Sequence, residues 1–209
     1  MVNNKFDRGH ILCDTRRMAK PVQKRTLETR ARLIGAAEAL IGKAGYEALR
    51  VEDVVLRAGV AKGTFFAHFK DKDALMDLLI GREIDACLDA IEKRPSPESI
   101  DELVETLGPL LRVMGGERYV FDVVIRYSGA AAVEEIGVIA ATFGRQVEVF
   151  ANWLADGPFR RDVAPALLAE GVQAFAIQAM ALNFCALHSQ GEMTARLRDY
   201  LSAWLMPPA

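Results

Sequence analysis

Apolar residues recur at intervals of three and four along most of this chain, which is the pattern of amphipathic helices. Glycine or proline interrupts the pattern between successive segments, and no segment alternates apolar and polar residues over the length of a strand. The sequence therefore predicts an all-α protein of about nine helices. With 209 residues, of which 51% are hydrophobic, the chain is large enough to bury a core.

The periodic segments give approximate helix bounds. The predicted helices span about 29–44, 51–58, 62–68, 71–93, 97–114, 117–127, 131–155, 162–189 and 193–205. Asp71 is expected to cap the fourth helix, and Ser96 to cap the fifth with Pro97 in its first position. Asp162 is expected to begin the eighth.

Charge is distributed unevenly along the chain. Residues 1–80 carry a net charge of +5 and residues 81–209 a net charge of −7. Seven of the first 25 residues are lysine or arginine, and Pro21 is expected to prevent a helix there. Residues 1–25 are therefore predicted to be a basic, flexible arm. It is either a solvated tail or a segment that seeks phosphates.

Cysteine content and hydropathy indicate a cytoplasmic protein. Three scattered cysteines make neither a disulfide framework nor a structural zinc site, so no metal or other cofactor is expected. Cys185 and His188, one helical turn apart, are too few to hold a metal. Residues 171–191 contain no charged side chain, but polar residues interrupt the run. We predict a buried helix of a soluble protein, with a membrane span as a remote alternative.

The segment from Val51 to His68 has the layout of a helix-turn-helix. Two short helices flank Gly59, at a position that favours a positive φ. The second helix opens with Lys62 and Thr64, whose donors suit an anion such as the DNA backbone. On this pattern alone, an ordinary helical corner is an equally good interpretation.

A longer stretch carries a family resemblance. The strings GYEA at 45–48, VEDV at 51–54 and AGVAKGTFFAHFKDKDAL at 58–75 follow one family pattern. Residues 28–80 closely resemble the N-terminal DNA-binding domain of the tetracycline-repressor (TetR) family of transcriptional regulators. The resemblance implies a DNA-binding domain at 26–75 and a helical effector-binding and dimerisation domain at 76–209. The expected protein is a dimeric regulator, typically a repressor, whose C-terminal helices bind a small inducer.

The resemblance also implies which residues meet a near-palindromic operator. The fit of a helix in the major groove already makes Lys62, Gly63, Thr64 and Ala67 candidates for base contacts. The resemblance supports Lys62 and Thr64, and it adds Phe66, His68, Lys72 and, beside a family position, Arg50. Phe66 stands where the family has tyrosine, so a hydroxyl contact to phosphate is lost. Leu49 and Ala61 stand where threonine and serine are common, and Arg50 is the candidate replacement for the lost phosphate contact. Half-sites should lie about one turn of DNA apart, roughly 34–36 Å, or a multiple of it.

Two further sets of residues are predicted in the C-terminal region. The candidate contacts for a small apolar or amphipathic effector are Phe121, Tyr127, Phe143, Trp153, Phe175, Gln178 and Asn183. Plain core is the commoner role for an aromatic residue at helical spacing, and the two amides are favoured because a buried amide needs a partner. The candidate dimer contacts are Ala174, Ala181, Cys185, Leu197, Leu201, Trp204 and Leu205, with an intramolecular face as the alternative.

Other classes of function have less support. The chain has no nucleophile elbow, phosphate-binding loop or dinucleotide fingerprint, so an enzyme is not expected. A helical protein-interaction module would account for the helices but not for lysines at two helix starts. A regulator without a small-molecule ligand also remains open.

Overall fold

The computed structural model describes residues 16–129, 136–185, 187 and 191–206. These residues form nine α-helices and no strand, which confirms the predicted all-α class. The helices are α1 (Arg16–Ala44), α2 (Val51–Ala58), α3 (Lys62–His68), α4 (Lys72–Ile91), α5 (Ile100–Gly115), α6 (Arg118–Tyr127), α7 (Val138–Asp156), α8 (Pro165–Asn183) and α9 (Met193–Leu205).

The first three helices and the start of α4 enclose the N-terminal part of the core. α1 packs against α2 and α4, and α2 packs against α3. Leu33 and Ala37 of α1, Val54 of α2 and Phe65 of α3 are completely buried. Their spacing within each helix is the reason, since residues three or four apart share one face.

The remaining helices form a larger bundle around the second half of α4. α7 packs against α4 and α8, while α9 packs against α8 and α5. Leu88 of α4, Leu107 of α5, Ile139 of α7 and Leu168 of α8 supply buried side chains from four different helices.

α4 belongs to both bundles and is fixed to α7 at two levels. The buried carboxylate of Asp77 accepts hydrogen bonds from the amides of Val138 and Ile139, at 2.9 and 3.0 Å. It therefore satisfies two of the amides that the first turn of α7 leaves unpaired. Further along, the guanidinium of Arg145 binds carboxylates in the second half of α4 and just after its end, and these hydrogen bonds raise the pKa of Arg145. Its partners are Asp85, Asp89 and Glu92, at 2.9, 2.6 and 2.6 Å.

Several local signals act as the sequence predicts. Asp71 caps α4, because its Oδ1 accepts a hydrogen bond from the Ala74 amide at 2.8 Å. Gly45 and Gly59 follow the ends of α1 and α2 with φ of 79° and 63°, in the left-handed region that glycine adopts without steric cost.

The predicted break at Pro21 is wrong. α1 begins at Arg16 and continues through Pro21, so the helix includes ten residues of the predicted arm. A proline close to a helix start removes a single backbone hydrogen bond, and a helix of 29 residues retains many others. The first 15 residues of the arm lie outside the described residues.

Two predicted helix starts are also wrong. α5 is capped by Ser99 rather than Ser96: the Ser99 hydroxyl accepts a hydrogen bond from the Glu102 amide at 3.1 Å, and the Glu102 carboxylate accepts one from the Glu98 amide. Two amides at the start of α5 are satisfied in this way, whereas a lone serine before Pro97 would satisfy one at most. α8 begins at Pro165, not at Asp162, whose carboxylate instead binds Arg160.

The helix expected from residue 131 also begins later than predicted. Ile136 and Gly137 are described and are not helical, and α7 begins at Val138; residues 130–135 lie outside the described part of the chain.

Candidate nucleic-acid interface

The turn between α2 and α3 sets the direction of α3. Gly59 adopts a left-handed conformation, and the amide of Val60 donates to the carbonyl of Val55 at 3.0 Å. The Gly59 amide also donates to the carbonyl of Leu56, so two carbonyls at the end of α2 are satisfied. The chain turns over residues 59–61, and α3 starts at Lys62.

One face of α3 is anchored and the opposite face is free. Phe65 is completely buried and contacts the rings of Phe66 and Phe69, at centroid distances of 5.4 and 5.5 Å. Arg30 of α1 holds the end of the helix, because its guanidinium donates to the carbonyl of His68 at 2.7 Å and lies 4.2 Å from the Phe69 ring centroid. The helix is therefore held rigidly while its other side faces solvent.

The predicted DNA-binding residues occupy this free side and the helix starts beside it. Arg50, Lys62, Gly63, Phe66 and Ala67 are exposed, whereas Thr64, His68 and Lys72 are half-buried. The exposed fraction of Phe66 is 48%, which is unusual for a large apolar side chain and leaves its ring free to touch a partner.

Lys62 and Glu52 form a surface ion pair in the DNA-free chain. The Lys62 ammonium lies 2.5 Å from the Glu52 carboxylate, and this hydrogen bond lowers the pKa of Glu52. Both side chains are more than half exposed, so the pair is screened by solvent. A phosphate can therefore compete with Glu52 for Lys62.

Lys72 has a different environment. Its ammonium lies 4.7 Å from the centroid of the Tyr119 ring, which belongs to α6. Burial lowers the pKa of Lys72, whereas the neighbouring carboxylates of Asp73 and Glu47 favour its charged form. The lysine is thus held between the two bundles, at the first position of α4.

Sequence reasoning missed Arg30, Glu117, Tyr119 and Arg126, which support this surface. Arg126 binds Asp73 at 2.8 Å, and Glu117 accepts a hydrogen bond from the Tyr46 amide at 3.2 Å. No helical spacing rule connects residues that lie 53 and 71 positions apart.

The five aromatic residues predicted to contact an effector belong to the hydrophobic core or pack against it. Phe121, Phe143 and Trp153 are buried, while Tyr127 and Phe175 are half-buried. Phe175 packs on the Tyr200 and Trp204 rings of α9, at centroid distances of 5.3 and 6.0 Å. Phe121 packs on Phe184 at 5.5 Å, beside a groove of about 330 Å³ between α6 and α8.

Gln178 and Asn183 were preferred as effector contacts because a buried amide needs a partner, and within the single chain this reason does not apply. Gln178 and Asn183 are exposed, so neither is a buried amide in need of a partner. Among the described residues, the amide of Gln146 in α7 is buried, with an exposed fraction of 2%, and sequence reasoning missed it. Its Nε2 lies 4.0 Å from the sulfur of Met114, and its Oε1 accepts a long hydrogen bond of 3.4 Å from Gln173.

The predicted dimer contacts divide into two groups. Leu197, Leu201 and Leu205 are completely buried within one chain, so for them the intramolecular alternative holds. Trp204 also packs internally, because its indole N–H donates to the Leu168 carbonyl at 3.1 Å. In the second group, Ala174 of α8 is exposed, whereas Ala181 of α8 and Cys185, two residues beyond its end, are half-buried.

α8 is long and apolar enough to pass a test for a membrane span by length and composition. Only 28% of its most apolar stretch is buried within the chain, so the expected buried helix is exposed on one side. This one helix, packed on α7 and α9, does not make the chain a membrane protein.

Among the described residues, no group of three or more His, Cys, Asp and Glu side chains could hold a metal ion. Cys185 is described and half-buried, whereas His188 lies outside the described residues.

Known proteins resemble this chain in sequence and in fold. Residues 33–79 match the N-terminal domain of the family described as bacterial regulatory proteins, tetR family. The chain is 28% identical over 116 residues to the HTH-type transcriptional repressor KstR of Rhodococcus jostii (strain RHA1). That match covers 53% of this chain and 55% of KstR, so it leaves close to half of each protein unmatched.

Solved structures share the fold over nearly the whole chain. A TetR family transcriptional repressor from Thermus thermophilus, FadR in complex with lauroyl-CoA, has a TM-score of 0.59 and 16% identity. It aligns over 86% of this chain and 97% of its own. SmeT, in a complex with triclosan, has a TM-score of 0.55 and 17% identity over 86% of this chain and 92% of its own. The predicted resemblance and the predicted architecture are both confirmed.

Proposed function

We propose that this chain, which carries the N-terminal domain of the tetR family at residues 33–79, is a sequence-specific DNA-binding transcriptional regulator. One observation carries the proposal: α3 is anchored through buried Phe65 while Lys62, Gly63, Phe66 and Ala67 are exposed on its other side. An α-helix fits the major groove, where base edges can be read. Lys62 and Thr64 face the bases in this arrangement, and Arg50, His68 and Lys72 approach phosphates.

Selection of duplexes from a random-sequence library by the purified protein tests this function. We expect a near-palindromic sequence, bound in a gel shift at physiological salt. The substitutions Lys62→Ala and Thr64→Ala should change the selected sequence, because side chains that face base edges determine it. If both variants select the same sequence as the unaltered protein, these residues do not read bases.

Lys72 is expected to contact a phosphate. The substitution Lys72→Ala should weaken binding to all duplexes alike and reduce the slope of log affinity against log salt by about one unit. Affinity measured by fluorescence anisotropy at several salt concentrations gives the slope.

Lys93→Ala provides the matched control for Lys72→Ala, since Lys93 is exposed beyond the far end of α4. Its removal should leave the slope unchanged. A slope that falls equally in both variants would show an effect of net charge rather than of a contact by Lys72.

A second copy of this chain is the proposed partner of the exposed side of α8. The two-fold symmetry of a palindromic duplex suits a dimer, and the small side chains of Ala174 and Ala181 allow close approach of two helices. Leu167, with an exposed fraction of 51%, adds apolar surface to the same helix.

The substitution Ala174→Arg is expected to weaken self-association at least tenfold, because it places a charge in an apolar contact. Sedimentation velocity measures this change. Ala90→Arg, the same substitution at an exposed site on α4, should leave the dimer intact. If Ala174→Arg also remains dimeric, α8 is not the interface.

The proposed regulator releases DNA when a small apolar or amphipathic effector binds among α5, α7 and α8. Gln146 supports this site, because an amide paired only weakly in an apolar core favours a ligand that completes its hydrogen bonds. The related folds of FadR, in complex with lauroyl-CoA, and of SmeT, in complex with triclosan, support a ligand that carries an apolar group. Release requires tighter binding to the conformation that does not bind DNA, with a typical coupling of about 1–3 kcal/mol.

A metabolite library added to the protein–duplex complex tests the effector. A molecule that dissociates the complex, and does so less effectively after Gln146→Leu, supports the site. If no molecule dissociates the complex, a regulator without a ligand is the better description.

The same proposal places the protein in the cytoplasm and assigns it no catalysis. The matched relatives are transcriptional regulators rather than enzymes. Failure to bind any duplex in the gel shift would favour a helical protein-interaction module instead.

A further inference from the structure

The side chain of Lys72 contacts an aromatic ring that belongs to α6, a helix outside the N-terminal bundle. Its ammonium lies 4.7 Å from the centroid of Tyr119, a half-buried residue in the first turn of α6. A lysine ammonium within about 6 Å of a ring centroid is attracted by the negative face of the ring. The two residues are 47 positions apart in the chain, so their contact depends on how α6 packs.

Two neighbouring contacts hold α6 in this place. The Arg126 guanidinium binds the Asp73 carboxylate at 2.8 Å, one residue beyond Lys72. At the other end of α6, the carboxylate of Glu117 accepts a hydrogen bond from the amide of Tyr46. The ring of Tyr119 lies between these two attachments along α6, and its position relative to α4 is therefore fixed.

A ring contact leaves the lysine able to bind a phosphate. The ammonium has three N–H donors, and contact with one ring face does not use all of them. A free lysine side chain loses rotamer entropy when it is ordered on a phosphate. A lysine already held on a ring has lost part of that freedom before DNA arrives, so its phosphate contact costs less.

We propose that Tyr119 is a positioning residue for Lys72, which holds the ammonium at the start of α4 in the place where it meets a DNA phosphate. This inference rests on the proposed DNA-binding function and deepens it. It makes DNA affinity depend on a side chain outside the DNA-binding domain. Burial lowers the pKa of Lys72 and raises that of Tyr119, in agreement with a contact that water reaches only in part.

A double-mutant cycle tests the inference on the duplex that the purified protein selects from a random-sequence library. The substitution Tyr119→Leu, which removes the ring face, should weaken binding about two- to fivefold. Tyr119→Phe retains the ring and should bind like the unaltered protein. In a Lys72→Ala background, Tyr119→Leu should cause no further loss, whereas a merely structural role of Tyr119 would cause the same loss in both backgrounds.

A second measurement needs no DNA. The ε-methylene protons of Lys72 should show an upfield ring-current shift in NMR spectra of the full-length protein, kept by Tyr119→Phe and lost in Tyr119→Leu. Unchanged affinity of Tyr119→Leu, or an equal loss with and without Lys72, overturns the inference and leaves the proposed function intact. A protein that selects no duplex overturns both.

Discussion

The substitution Phe65→Ala is expected to lower the free energy of unfolding by about 3–5 kcal/mol, the usual cost of truncating a fully buried phenylalanine. Phe65 has no exposed surface, and it is the residue through which α3 packs on the N-terminal core. Its loss should also abolish DNA binding, because α3 would no longer be held in one orientation. Urea denaturation and a gel shift measure the two effects.

Phe66→Ala is the matched control, since it removes the same side chain from the next position of the same helix. With 48% of its surface exposed, Phe66 should contribute less than about 1 kcal/mol to stability, whereas its loss should alter DNA affinity. Equal destabilisation by the two substitutions would show that α3 is not anchored as described.

The second large effect is expected at the junction of α4 and α7. Asp77→Ala removes the acceptor for the amides of Val138 and Ile139 and leaves both without a partner in a site that is almost closed to water. Hydrogen bonds to charged groups contribute about 1.5–3 kcal/mol each, and losses at one site are not fully additive, so we expect a loss of about 2–4 kcal/mol. Hydrogen exchange at the two amides should become faster.

Asp77→Asn preserves the size of the side chain and one acceptor oxygen, so a smaller loss is expected from it. Asp122→Ala removes a carboxylate that is paired only on the surface with Arg118, and it should cost less than about 0.5 kcal/mol. If Asp77→Ala costs no more than Asp122→Ala, the buried cap contributes nothing to the junction.

Local signals were sufficient to predict the parts of the fold that local chemistry determines. The turn at Gly59 and the cap at Asp71 each depend on residues within five positions, and both are as predicted. The start of α5 was mispredicted because Ser96 and Ser99 are both plausible caps. What distinguishes them is that the Ser99 hydroxyl accepts from the Glu102 amide while the Glu102 carboxylate accepts from the Glu98 amide.

Contacts between distant segments could not be predicted in this way. α8 is apolar on nearly every side, so its sequence does not indicate which face is buried, and the exposed Gln178 was preferred over the buried Gln146. The roles of Tyr119 and Asp77 likewise depend on how α4 meets α6 and α7. The free face of α3, in contrast, could be predicted because the resemblance spans the whole helix-turn-helix.

The attachment of α6 to the N-terminal bundle limits how this protein could be recombined with its relatives. A chimaera that joins its first 79 residues to the C-terminal helices of a relative would separate Asp73 from Arg126 and Tyr46 from Glu117. Transfer of DNA specificity to a relative should therefore succeed more often when Glu117 and Arg126 are transferred together with the N-terminal residues. The two parts of the chain that can be exchanged are therefore delimited by two pairs of contacting side chains, and not by a single position in the sequence.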